Sequence, residues 1–167
     1  MSDERMRATW SSLRGSDPVA LERDLRACFR NLFESRSRGR VELVESRFRA
    51  SMGNRPPRKP THLATASVRA LKARYASAGF QPVSDTLPPD HITVELHFLG
   101  YLLERASGNR RDACGAITEA RAFLSEHILS WMPALRTALA VRPDGGFYLA
   151  IVATAEANAR ALQRDLA

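Results

Sequence analysis

An all-α fold, a single helical bundle of about six to seven helices across residues 1–167, is what the sequence predicts, on three observations. Apolar residues recur at steps of three and four in every long segment from Leu21 to Leu166. No stretch sustains the apolar–polar alternation of a half-buried strand. The breaks fall at Gly/Pro clusters, the residues that stop helices. The chain has 167 residues, 44% hydrophobic and 26% charged, which suffices for a core without a disulfide or metal staple.

The first helix is expected over Pro18–Phe33, where Leu21, Leu25, Cys28, Phe29 and Leu32 share a stripe. Asp17-Pro18 supplies its start, a cap residue followed by a proline that fits the first turn. Glu34–Arg40 is polar, contains Gly39 and reads as a loop. Val41, Val44 and Phe48 again have helical spacing. Residues 53–60 carry Pro56, Pro57 and Pro60, which forbid a helix interior and predict a mobile connector. Thr61–Ala78 has Ala64, Val68, Leu71, Tyr75 and Ala78 on one face, with Gly79 as its stop. Phe80–Pro89 is a second connector, a hinge near residues 80–90. Ile92–Leu103 is apolar almost all round and should be central. Asp112–Ile128 is amphipathic, Met132-Pro133 restarts a short helix, Arg142–Gly146 is a turn, and Phe147–Leu166 forms the last helix.

Charge is divided unevenly. Residues 1–75 hold 17 Lys/Arg against 8 Asp/Glu, whereas residues 76–167 hold 8 against 10. A nucleic-acid or regulatory role would draw on Arg36, Arg38, Arg40, Arg55, Arg58 and Lys59, but basic loops are ordinarily solvated, so this is the alternative reading. No apolar run reaches the length of a membrane span, and Met1–Trp10 lacks the core of a secretory signal, so a cytoplasmic protein is expected. Cys28 and Cys114 form no CxxC pair, and His91 and His97 are six apart, the wrong spacing for two ligands on one helical face. No metal site and no cofactor is expected. GxSxG, HExxH and Gly-rich phosphate or dinucleotide motifs are missing, so the sequence argues against an enzyme.

The most informative stretch is Leu87–Leu103, LPPDHITVELHFLGYLL. Pro88 and Pro89 bring the chain in rigidly, Asp90 is placed to cap the following helix, and His91 falls in its first turn, where the helix dipole disfavours the protonated ring. This segment resembles the D-H-(I/L)-x-x-x-L-x-F signature of the TorD/DmsD/NarJ-like chaperones of molybdenum oxidoreductases. Phe123–Pro133 (FLSEHILSWMP) resembles that family's F-L-x-x-H-(L/I)-x-x-W-x-P segment, and Phe147–Ala150 its F-Y-x-x-L-A block. Glu45-Ser46-Arg47-Phe48 and Tyr75–Phe80 are similar, more loosely, to two further blocks.

The resemblance implies an all-helical TorD-like chaperone without catalytic activity. Its partner would be the catalytic subunit of a molybdopterin oxidoreductase together with the N-terminal twin-arginine leader. An Arg-Arg pair followed by an apolar stretch calls for an apolar wall with acidic groups at one end. Pro88, Pro89, Asp90, His91, Glu95, Phe98, Tyr101, Leu102 and Trp131 are the residues expected to bind it, with Glu104 a further carboxylate. Only 20 residues precede Leu21, where the family has one or two further helices. Apolar surface left uncovered on Thr61–Ala78 or on the central helix would then favour a homodimer, with Pro56–Pro60 as an exchange hinge.

Overall fold

The computed structural model describes residues 11, 15–35, 40–52, 62–82, 86–108 and 110–166. These residues are all-α, with no strand among them and one isolated antiparallel bridge between Val44 and His91. The helices are α1 (Pro18–Phe29), α2 (Glu45–Ser51), α3 (His62–Ala78), α4 (Ile92–Ser107), α5 (Arg110–Phe123), α6 (Met132–Ala140) and α7 (Gly146–Asp165). Two of them run on into five-residue π-turns, Arg30–Glu34 after α1 and Leu124–Ile128 after α5. No helix among the described residues is long and apolar enough to cross a membrane. The connector at residues 53–60, with the exchange hinge expected there, lies outside the described residues.

The chain groups into two compact units, residues 1–41 with 132–157 and residues 42–131 with 158–167. In the first, α1 starts as its sequence predicts: Asp17 Oδ2 accepts the Ala20 N–H at 3.1 Å and Pro18 opens the helix. The π-turn turns Phe33 towards Phe29 and Tyr148, whose rings lie 5.0–5.8 Å apart. Tyr148 donates its hydroxyl to the Leu25 carbonyl at 2.9 Å. Met132, Leu135 and Leu139 form the buried stripe of α6. A Cβ at Gly145 would stand 2.5 Å from the Leu139 carbonyl oxygen, so this turn admits glycine alone.

The second unit is built around α4 and α5. Phe98 is fully buried between them, its ring 4.8 Å from Phe123 and 4.6 Å from Tyr75 of α3. Arg74 ties α3 to α5 by pairing with Glu119 and Glu126 while its guanidinium lies over the Phe123 ring. The C-terminus of α3 is a Schellman motif. Gly79 takes φ 74°, its N–H bonds Ala76 O, and the Phe80 N–H bonds Tyr75 O at 2.9 Å. The accompanying apolar contact is the Tyr75–Phe80 ring pair.

One element departs from the helical periodicity. Val41 and Val44 keep helical spacing with Phe48, yet the helix begins only at Glu45 and Val44 is extended (φ −105°, ψ 118°). Both valines are buried. The physical reason is the bridge: the Ile92 N–H bonds Leu43 O at 2.9 Å and the Glu45 N–H bonds Asp90 O at 2.8 Å. Long-range pairing with the segment before α4 outcompetes the local helical preference, and β-branched valine accepts the extended backbone readily.

Candidate partner-binding site

The segment entering α4 is a tight turn fixed on every side. The His91 N–H bonds the Pro88 carbonyl at 3.0 Å, with Pro89 at the second position, where proline pre-sets the backbone. Tyr75 donates its hydroxyl to Pro89 O at 2.9 Å. The Asp90 carbonyl accepts the Glu45 N–H, and its carboxylate Oδ2 accepts the Ser46 N–H at 3.0 Å. At residues 88–91 the expected connector is a hydrogen-bonded turn.

Capping here differs from the sequence expectation. Asp90 does not cap α4; it caps α2, where Val44 has no side chain able to do so. His91 is the cap of α4, its Nδ1 accepting the Thr93 N–H at 3.2 Å. Burial pushes the His91 pKa below its ordinary value, opposed by the Asp90 charge, and the neutral ring is the form that can accept this bond.

Behind the turn lies a buried polar cluster. Glu45, the first residue of α2, places Oε2 2.9 Å from Nδ1 of His127, while its Oε1 takes two bonds from Arg49. Arg49 also reaches Ser130 Oγ at 2.6 Å. Burial alone would raise the Glu45 pKa, but the His127 and Arg49 hydrogen bonds outweigh it and hold the carboxyl below its ordinary value. Glu95, in the first turn of α4, is 0% exposed. Its Oε2 accepts the Trp131 indole N–H at 3.2 Å, and its Oε1 has no hydrogen-bond partner. Desolvation, with the Glu45 charge beside it, pushes Glu95 up to about 10, so it is a neutral acid at pH 7.

The residues singled out from sequence thus fall into two groups. Asp90, Glu95, Phe98, Leu102 and Trp131 are buried, whereas Pro88, Pro89, His91 and Tyr101 are half-buried. Tyr101 points back to α3, its hydroxyl donating to Ala78 O at 2.9 Å. The central helix α4 has an open face, formed by Thr93, Leu96, His97, Gly100 and Glu104, with Leu96 39% exposed. A methyl at Gly100 would meet nothing within 4 Å. Glu45 and His127, which complete the cluster with Glu95, are absent from the expected site although both stand inside the quoted motif segments. Of the basic set, only Arg40 lies among the described residues.

A family model described as nitrate reductase delta subunit matches residues 2–137. A chaperone protein TorD of Photobacterium profundum is 39% identical over 67 residues, 39% of this chain and 31% of that protein. Another, of Vibrio vulnificus, is 36% identical over 63 residues, 36% of this chain and 29% of that protein. The matched stretch therefore spans less than a third of either relative. No solved structure matches the chain. With the model covering residues 2–137 of 167, the chain belongs to the nitrate reductase delta subunit family, in which the TorD- and NarJ-like proteins are grouped.

Proposed function

We propose that this protein is a cytoplasmic assembly chaperone for a molybdopterin-dependent oxidoreductase, binding the N-terminal twin-arginine leader, the apo catalytic subunit, or both until the cofactor is inserted. The family match over residues 2–137 carries the reading, and the similarity to chaperone proteins TorD supports it. The role is binding, with no chemical step. In this reading the leader lies along the open face of α4. Its apolar stretch meets Leu96 and the space above Gly100, and its arginines meet the exposed Glu104. Pro88, Pro89, Asp90 and His91 set the angle at which α4 leaves the turn. Glu95, Phe98, Leu102 and Trp131 hold its inner side, and Tyr101 ties it to α3.

The test is fluorescence anisotropy with a labelled synthetic peptide carrying an Arg-Arg pair followed by an apolar stretch. Leu96→Asp and Glu104→Lys are each expected to weaken binding about tenfold or more, roughly 1.4 kcal/mol, with the unfolding midpoint unchanged. Salt should weaken the complex only modestly, because apolar burial supplies most of it. A peptide that does not bind, or that binds both variants as it binds the native chain, would overturn the assignment. So would preferential capture of duplex DNA with steep salt dependence.

A further inference from the structure

We propose that Glu45, Glu95 and His127 form a binding site for a divalent cation of the zinc class. One oxygen or nitrogen from each residue lies within 4.8 Å of the other two. They converge from three elements, the start of α2, the first turn of α4 and the π-turn after α5. The π-turn itself is closed by the Leu129 N–H bonding Leu124 O at 2.8 Å, and such turns are frequent where a side chain must be aimed at a functional site.

The outer hydrogen bonds sort the carboxylate oxygens. Arg49 occupies Oε1 of Glu45, and the Trp131 indole occupies Oε2 of Glu95. Each carboxylate is therefore held by one oxygen. The other is left for the cluster, Oε2 of Glu45 facing His127 and Oε1 of Glu95, at 0% exposure, reached by no donor. Ligands steadied by a second layer of donors are the arrangement metal sites use. His127 is steadied too, its ring stacked on Phe123 at 4.9 Å.

Size and chemistry agree with the assignment. Metal–ligand bonds of about 2.0–2.1 Å in a tetrahedron put neighbouring ligand atoms about 3.3 Å apart. The Glu45–His127 pair, at 2.9 Å, needs to open by a few tenths of an ångström, and the widest pair, within 4.8 Å, has to close on the ion. Two carboxylates and one imidazole suit zinc or manganese, whereas calcium would require an all-oxygen shell of six or more ligands. Two carboxylates match the charge of a divalent ion once the ion displaces the Glu95 proton, with water as the natural fourth ligand.

The experiment is calorimetric titration of the chelator-treated full chain with zinc sulfate, with cobalt(II) absorption as a spectroscopic readout of four-coordination. One equivalent should bind with Kd at or below about 10 μM. Glu95→Gln and His127→Gln should each weaken binding about tenfold or more and abolish the cobalt bands. Cys114→Ser should leave both readouts unchanged. Glu95→Gln preserves shape and the acceptor for Trp131, so it carries the test even if His127→Gln fails to fold. Absence of saturable binding, or one-equivalent binding that survives Glu95→Gln, would overturn the proposal.

Discussion

The first turns of α1 and α2 solve the same problem in opposite ways. Each helix begins with N–H groups that no residue of the helix can satisfy. At α1 the answer is local, since Asp17 reaches three residues ahead to Ala20 from an exposed position. At α2 it is distant, since Asp90 serves Ser46 across 44 positions from a site only 4% exposed. A local cap stabilises its own helix, whereas a distant cap makes one helix conditional on another segment. Around α2 this dependence multiplies: the same turn bonds the Glu45 N–H, and the Glu45 side chain holds His127.

The sharpest test of this junction concerns its acid. Glu95 holds a proton when folded, up to about pH 10, that the unfolded chain loses near its ordinary carboxyl value. The folded state thus carries the extra proton between those limits, and stability should fall as pH rises through that window. Glu95→Gln removes the dependence. In metal-free protein it should be more stable than the native chain by on the order of 3 kcal/mol at pH 7, with the gap closing towards pH 5. Urea unfolding at several pH values reads this. A gap that stays constant with pH would show that Glu95 is not a buried neutral acid.

Next in size is the contrast between the caps. Asp90→Ala should cost about 2 kcal/mol, the upper end of the range for a lost cap, because the freed N–H is not readily reached by water. Asp17→Ala should cost about 0.5–1 kcal/mol, since water replaces its oxygen. Chemical denaturation of both variants decides it, and equal losses would erase the distinction between local and distant caps.

The smallest effect belongs to His91. Its pKa is lowered in the folded state, so its contribution is present above the ordinary histidine value and is lost as pH falls through the folded value. Asn caps without titrating. Between pH 7 and 5, His91→Asn in a Glu95→Gln background should lose less stability than its parent. Parallel curves for the two chains would remove His91 as the titrating cap.

These contrasts mark how far the sequence could be read. The start of α1 at Asp17-Pro18 and the stop of α3 at Gly79 were legible, because cap and helix are neighbours in the chain. The helical segments of α1, α4, α5 and α7 were legible for the same reason. Val44 misled because its partner, His91, lies far along the chain and imposes an extended backbone. The motif segments contain Glu45 and His127, but no spacing rule relates residues 82 positions apart. Glu95 looked like an available carboxylate, and only its burial against Trp131 reveals a neutral acid.

The distant cap also has a meaning in time. A ribosome adding roughly 5–20 residues per second takes about 2–9 seconds to travel the 44 positions from Ser46 to Asp90. Throughout that interval the first amides of a seven-residue helix are without their acceptor. Short helices are marginal without help, so α2 gains the stabilisation of its first turn only when the Pro88–His91 turn has been made. During synthesis the order of stabilisation along this stretch is therefore reversed with respect to the order of the residues.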